Sequence, residues 1–177
     1  MLGVLLGESA RMRAFVDPFI ATFHPIPKIA MLPFIMMVFG VGEASKIVVV
    51  AVAVFFPMLL TTMSGVRQIQ EAYFDIASAY GATRWQTFVH VVLPGSLPFT
   101  LTGLRIAYNI ALVMALAIEI ATARLGLGKM IWLAWETMRI ENLYATLAVI
   151  ATLGVSFNLF LTWLTARLVP WRPERVR

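Results

Sequence analysis

Few side chains in this 177-residue sequence could do chemistry, and their spacing limits what that chemistry could be. There is no cysteine, which excludes disulfides, thiolate metal sites and thiol redox chemistry. His24 and His90 are far apart and form no metal-ligand motif, and no H-E-x-x-H occurs. An intramembrane aspartyl protease would need two aspartates within apolar runs; Asp17 and Asp75 both lie outside them. No G-x-x-x-x-G-K-[ST] phosphate loop is present, so the chain lacks that means of holding ATP. Two charges do lie inside one apolar run, Arg105 and Glu119. Their separation of 14 residues corresponds to about 21 Å along a helix, so they cannot pair within it. Intramembrane charges are paired or functional as a rule. Glu119 is expected to snorkel at the outer end. Arg105, nearer the inner end, is expected to snorkel or to brace the elbow over 67–94, with attraction of an anionic substrate as the alternative.

The other chemically distinct stretch is "DIASAYGATRWQTFVHVVLP", Asp75 to Pro94. With Arg67, Glu71, Asp75 and Arg84, residues 67–94 cannot cross lipid unaided, because each central charge costs about 2.5–3.5 kcal/mol. The periodicity is nevertheless helical. Ile69, Tyr73, Ile76 and Tyr80 form one stripe, and Gln68, Glu71, Asp75 and Ser78 form the opposite one. Gly81 is the expected left-handed stop. Thr83-Arg84-Trp85-Gln86 reads as a capping box that starts a second helix. That helix is expected to bury Trp85, Phe88, Val89 and Val92 and to end at Pro94. The small residues Ala72, Ala77, Ala79, Gly81 and Ala82 favour close docking on another protein; an amphipathic linker resting on lipid headgroups is the competing reading.

The surrounding elements place this elbow at a membrane. The chain is 60% hydrophobic and 13% charged, with a mean hydropathy of +0.86; a soluble domain carries about a quarter charged residues. Four stretches read as spans: 26–41, 45–65, 97–121 and 143–168. Pro33 and Pro57 fall inside two of them, at tolerable cost where neighbours satisfy the freed carbonyls. Residues 1–23 read as a helix stub, with Gly3 and Gly7 at a close-packing spacing. The net charge of +5 is scattered around apolar segments as membrane-flanking charge, which argues against nucleic acid. Placing 67–94 inside puts Arg11, Arg13, Lys28, Arg67, Arg84, Arg167, Arg172, Arg175 and Arg177 on the cytoplasmic side, against Lys46, Arg124, Lys129 and Arg139 outside. This asymmetry follows the positive-inside rule. Residues 122–142 carry an apolar stripe, Leu127, Met130, Ile131, Ala134 and Met138, and are expected to form an interfacial helix. Gly40-Val41-Gly42 and Gly126-Leu127-Gly128 read as turns.

The elbow resembles the cytoplasmic "EAA" loop of binding-protein-dependent ABC importer permeases. Asp75-Ile76-Ala77 occupy the E-A-A positions, Gly81 follows after three residues, and Val91-Val92-Leu93-Pro94 close the motif after nine more. Glu71-Ala72 matches by letters but lies four residues too early, so the acidic position is Asp75. "DPFIATFHPIPKIAMLPFIMMVFGVGEASKI", "GLRIA", "GLG" and "PW" are similar to the nitrate/sulfonate/taurine-type branch. The resemblance implies an all-α integral membrane fold, the helical bundle of a type I ABC importer permease. About four spans would be joined by the cytoplasmic coupling elbow, with one or two further spans expected before residue 1.

It also implies a bacterial inner-membrane transport subunit that is not itself an enzyme and needs no cofactor. The implied partners are two copies of an ABC ATPase, a second permease copy, an extracytoplasmic substrate-binding protein and the lipid membrane. Asp75, Ala77, Ser78, Ala79, Gly81, Ala82 and Arg84 would then contact the ATPase. A channel or secondary-transporter subunit, or a truncated inactive permease, is the alternative.

Overall fold

The computed structural model describes residues 2–122 and 125–171. Arg124, Arg172, Arg175 and Arg177, which enter the charge asymmetry, lie outside the described residues. The chain forms helices α1 (Leu2–Glu8), α2 (Ala10–Phe23), α3 (Leu32–Phe39), α4 (Glu43–Arg67), α5 (Glu71–Ala79), α6 (Arg84–Thr87), α7 (Leu93–Thr122), α8 (Leu127–Glu136) and α9 (Ile140–Leu168). A 3-10 turn over Lys28–Met31 precedes α3, and a π-helical turn over Phe88–Val92 joins α6 to α7.

Among the described residues, three helical stretches are long and apolar enough to cross a membrane: Glu43–Arg67, Arg84–Thr122 and Ile140–Leu168. The expected span over 26–41 takes a different form. Its α-helix is eight residues long, where a crossing takes about 20. It contributes a crossing only if Ala10–Phe23 and Lys28–Phe39 together make one broken span. Pro27 precedes the 3-10 turn, Pro33 stands in the first turn of α3, and Gly40 ends it at φ 81°. Helix-breaking residues therefore bound the apolar run more tightly than its hydropathy suggests.

The helices divide into two compact units. The first comprises Met1–Pro25, Phe56–Ile106 and Trp163–Arg177. Within it, α1 lies against the end of α4 at the two glycines. A Cβ on Gly3 would come 3.0 Å from the Leu59 carbonyl, and one on Gly7 would come 2.5 Å from the Val66 Cβ. The Gly-x-x-x-Gly spacing thus serves close helix approach. Leu6, Ile20, Leu59 and Met63 pack as one cluster; Val4, Val66 and Val92 form another, joined by Ile69, Phe74 and Phe88.

The second unit comprises Ile26–Phe55 and Ala107–Thr162. Its core is Leu32, Ile35, Val49 and Ile118, with Met114 packed against them. Tyr108 on α7 stacks on Phe157 of α9 at 3.6 Å between ring centroids, and its hydroxyl donates to the Leu153 carbonyl at 3.2 Å. With its polar tip partnered, the half-buried ring can act as an apolar contact.

Candidate functional site

The elbow is built by two local capping signals. At the end of α5, Gly81 has φ 71°, a conformation that side chains other than glycine resist. Its N–H donates to the Ser78 carbonyl and that of Ala82 to the Ala77 carbonyl, both at 2.9 Å. These are the two bonds of a Schellman stop, and they satisfy carbonyls that the helix end would leave open. Two residues later, Thr83 caps α6. Its hydroxyl accepts the Gln86 N–H at 3.3 Å, and its own N–H donates to the Gln86 side-chain carbonyl at 2.8 Å. Capping of this kind is worth about 1 kcal/mol and fixes the exit angle of the chain.

Phe74 on α5 and Phe88 in the π-turn pack against Val4, Val66 and Val92, rooting both arms of the elbow in the first unit. The outer face is left open. Tyr73 and Ile76 are each 55% exposed and Tyr80 is 87% exposed, so the α5 part of the apolar stripe faces away from the unit's core, whereas Ile69 packs into it. Trp85, expected to be buried, is 72% exposed and stacks on Phe88 at 5.8 Å. Phe88 and, from the α5 face between the two sequence stripes, Phe74 pack against that core instead.

The expected site residues are brought together here. Asp75, Ser78, Ala79, Gly81 and Arg84 are exposed, while Ala77 and Ala82 are half-buried around the Schellman bonds. The Asp75 and Arg84 side chains are not engaged with any described residue; the Ser78 hydroxyl donates to the Asp75 carbonyl at 2.9 Å.

Pro94 does not end the second helix. The chain stays helical from Arg84 to Thr122, with Leu93 donating to the Phe88 carbonyl five residues back. Proline lacks the N–H that an interior position would use, and the wider π-turn shifts the bonding register just before it. The elbow is therefore continuous with a membrane-crossing helix.

Of the two intramembrane charges, Arg105 is half-buried in the first unit and Glu119 lies in the second. Snorkelling does not describe Glu119. Its Oε2 accepts the Gly128 N–H at 2.8 Å, at the start of α8. A carboxylate there is favoured both by the free N–H groups and by the helix dipole. Gly126, at φ 131°, turns the chain into that position, and a Cβ on Gly128 would collide with the Leu116 carbonyl. Glu119→Ala is expected to lower thermal stability by about 1–2 kcal/mol, the cost of leaving that N–H without its charged acceptor. Glu119→Gln should retain most of it, as a melting curve in detergent would show.

A helical chain with several helices long and apolar enough to cross a membrane, one of them continuous with a capped elbow, has the make-up of a polytopic membrane protein. Residues 1–172 match the family described as "Binding-protein-dependent transport system inner membrane component", and the chain belongs to that family. It is 37% identical over 173 residues to the taurine transport system permease protein of Escherichia coli (strain K12), covering 98% of this chain and 63% of that one. To the nitrate import permease protein of Leptolyngbya laminosa it is 27% identical over 169 residues, covering 96% and 61%. The chain spans less than two thirds of the length of these curated relatives. In fold it is similar to a chain of the MetNI methionine ABC transporter in an inward-facing conformation, with a TM-score of 0.75 at 20% identity, covering 94% and 84%.

Proposed function

We propose that this chain is the membrane-spanning part of an ATP-driven importer for a small anionic solute of the taurine, sulfonate or nitrate kind. The elbow over 75–94 carries the coupling to a separate ATPase. The observation that carries the reading is a capped helix–glycine–helix elbow continuous with the helix Arg84–Thr122. A lever transmits a displacement only if it is stiff, and both caps and the Phe74 and Phe88 roots supply that stiffness. The exposed Tyr73, Ile76, Tyr80 and Trp85 side chains fit a docking surface, since aromatic anchors dominate interface energetics. Asp75 and Arg84 supply charges of opposite sign for orientation.

In this reading two ATPases close on ATP and push two elbows, one from each of two permease copies. An extracytoplasmic binding protein delivers the solute, and the elbow and C-terminus are cytoplasmic. ATP hydrolysis takes place on the partner chain, and the substrate range follows the names of the relatives.

Copurification tests the assignment. Asp75→Arg is expected to reduce retention of the ATPase at least tenfold, because it reverses the charge at the acidic position while leaving the exposed backbone intact. Unchanged retention would sink the coupling role.

A further inference from the structure

We propose that Lys46 holds the charged group of a small anion in a cavity of the second unit, an inference that rests on the importer reading above. The cavity, about 400 Å³, is lined by Met36, Val41, Gly42, Glu43, Lys46, Thr122 and Leu125. Although Lys46 stands in the second turn of α4, its side chain is only 18% exposed. The buried part is the aliphatic stem, which carries the ammonium to the wet rim of the cavity. There its partner is Glu43 Oε1 at 2.6 Å, three residues earlier on the same helix.

Glu43 is 81% exposed, so its carboxylate can turn into water and stay solvated, while the mostly buried stem keeps the lysine at the cavity. Such half-exposed pairs bind weakly and exchange readily. The Glu43 carboxylate therefore occupies the place that an incoming sulfonate, nitrate or carboxylate would take over the ammonium. The acid of α7, Glu119, does not compete, because Gly128 engages it. Lysine is a compact charge without the fork geometry of arginine, so it accepts trigonal and tetrahedral anions alike. Met36, Val41 and Leu125 offer an apolar wall for the carbon part of an organic anion.

The sequence has no cysteine, so a single Val41→Cys, at a position 83% exposed, reports on the cavity in the full chain with its ATPase. Its labelling is followed with two methanethiosulfonate reagents of similar size, one carrying a sulfonatoethyl group and one a trimethylammonioethyl group. Relative to a free thiol, the anionic reagent should be favoured in the parent, and about fivefold in Glu43→Gln, the effect of one unpaired charge in a wet site. Lys46→Gln should abolish that preference, Lys46→Arg should keep it, and Glu43→Gln should raise it. Millimolar taurine or nitrate should slow labelling beside Lys46 but not in Lys46→Gln. An unchanged ratio in Lys46→Gln would overturn the proposal, as would failure of both anions to protect. Labelling needs no ATP, so an absence of uptake would count against the importer reading while leaving this result legible.

Discussion

Gly81→Trp is expected to strip the ATPase from the purified membrane protein while leaving the membrane protein folded. Two features separate these effects. Nothing lies within 4 Å of where a Cβ on Gly81 would point, so an indole there meets no wall of its own chain. The φ of 71° still imposes a local cost of about 1–2 kcal/mol on a residue with a side chain. Gly81→Asn, which tolerates the left-handed conformation, controls for that cost and should retain much of the partner. The tryptophan would occupy the space that the docking partner needs, and a loss of at least tenfold in affinity corresponds to about 1.4 kcal/mol or more. Gel filtration of the variant should match the parent while the ATPase band disappears.

The second large effect is expected inside the membrane. Gly65, near the end of α4, lies so close to Phe99 of α7 that a Cβ would overlap the phenylalanine side chain at three atoms. Phe99 is held by the helix backbone at its Cβ, the nearest of those atoms, so rotating the ring cannot relieve the clash. Gly65→Val should therefore cost about 2–3 kcal/mol through overpacking, seen as a lowered melting temperature and a broadened gel-filtration peak. Gly154→Ala is the matched control. Its nearest neighbour beyond its own helix, Leu112 Cδ2, is 3.8 Å away, ordinary contact distance, and little change is expected.

What could be read in the sequence was mostly local. The stop at Gly81 and the box from Thr83 to Gln86 each depend on residues within a single turn, and both take the expected form. The misreadings have two physical causes, helix-register and helix-breaking effects that hydropathy and spacing do not register, and partners outside the stretch being read. Pro94 looked like a terminator because a proline ends an isolated helix, but the π-turn before it changes the register and the helix continues. Glu119 looked like a snorkelling acid because its acceptor role depends on an N–H nine residues later, beyond the turn at Gly126. Trp85 fits a buried stripe by spacing, yet Phe88 and, from the preceding helix, Phe74 pack against that core. The 26–41 run has the hydropathy of a span, but Pro27, Pro33 and Gly40 leave only eight residues of α-helix within it.

The central claim is that the elbow transmits ATP hydrolysis to the membrane helices. Its most direct test is uptake of taurine or nitrate into vesicles carrying the chain, its ATPase and its binding protein. Uptake is expected to be ATP-dependent and vanadate-sensitive, and Gly81→Trp should abolish it although the protein remains inserted. Uptake that continues without the ATPase, or that survives Gly81→Trp undiminished, would contradict the claim.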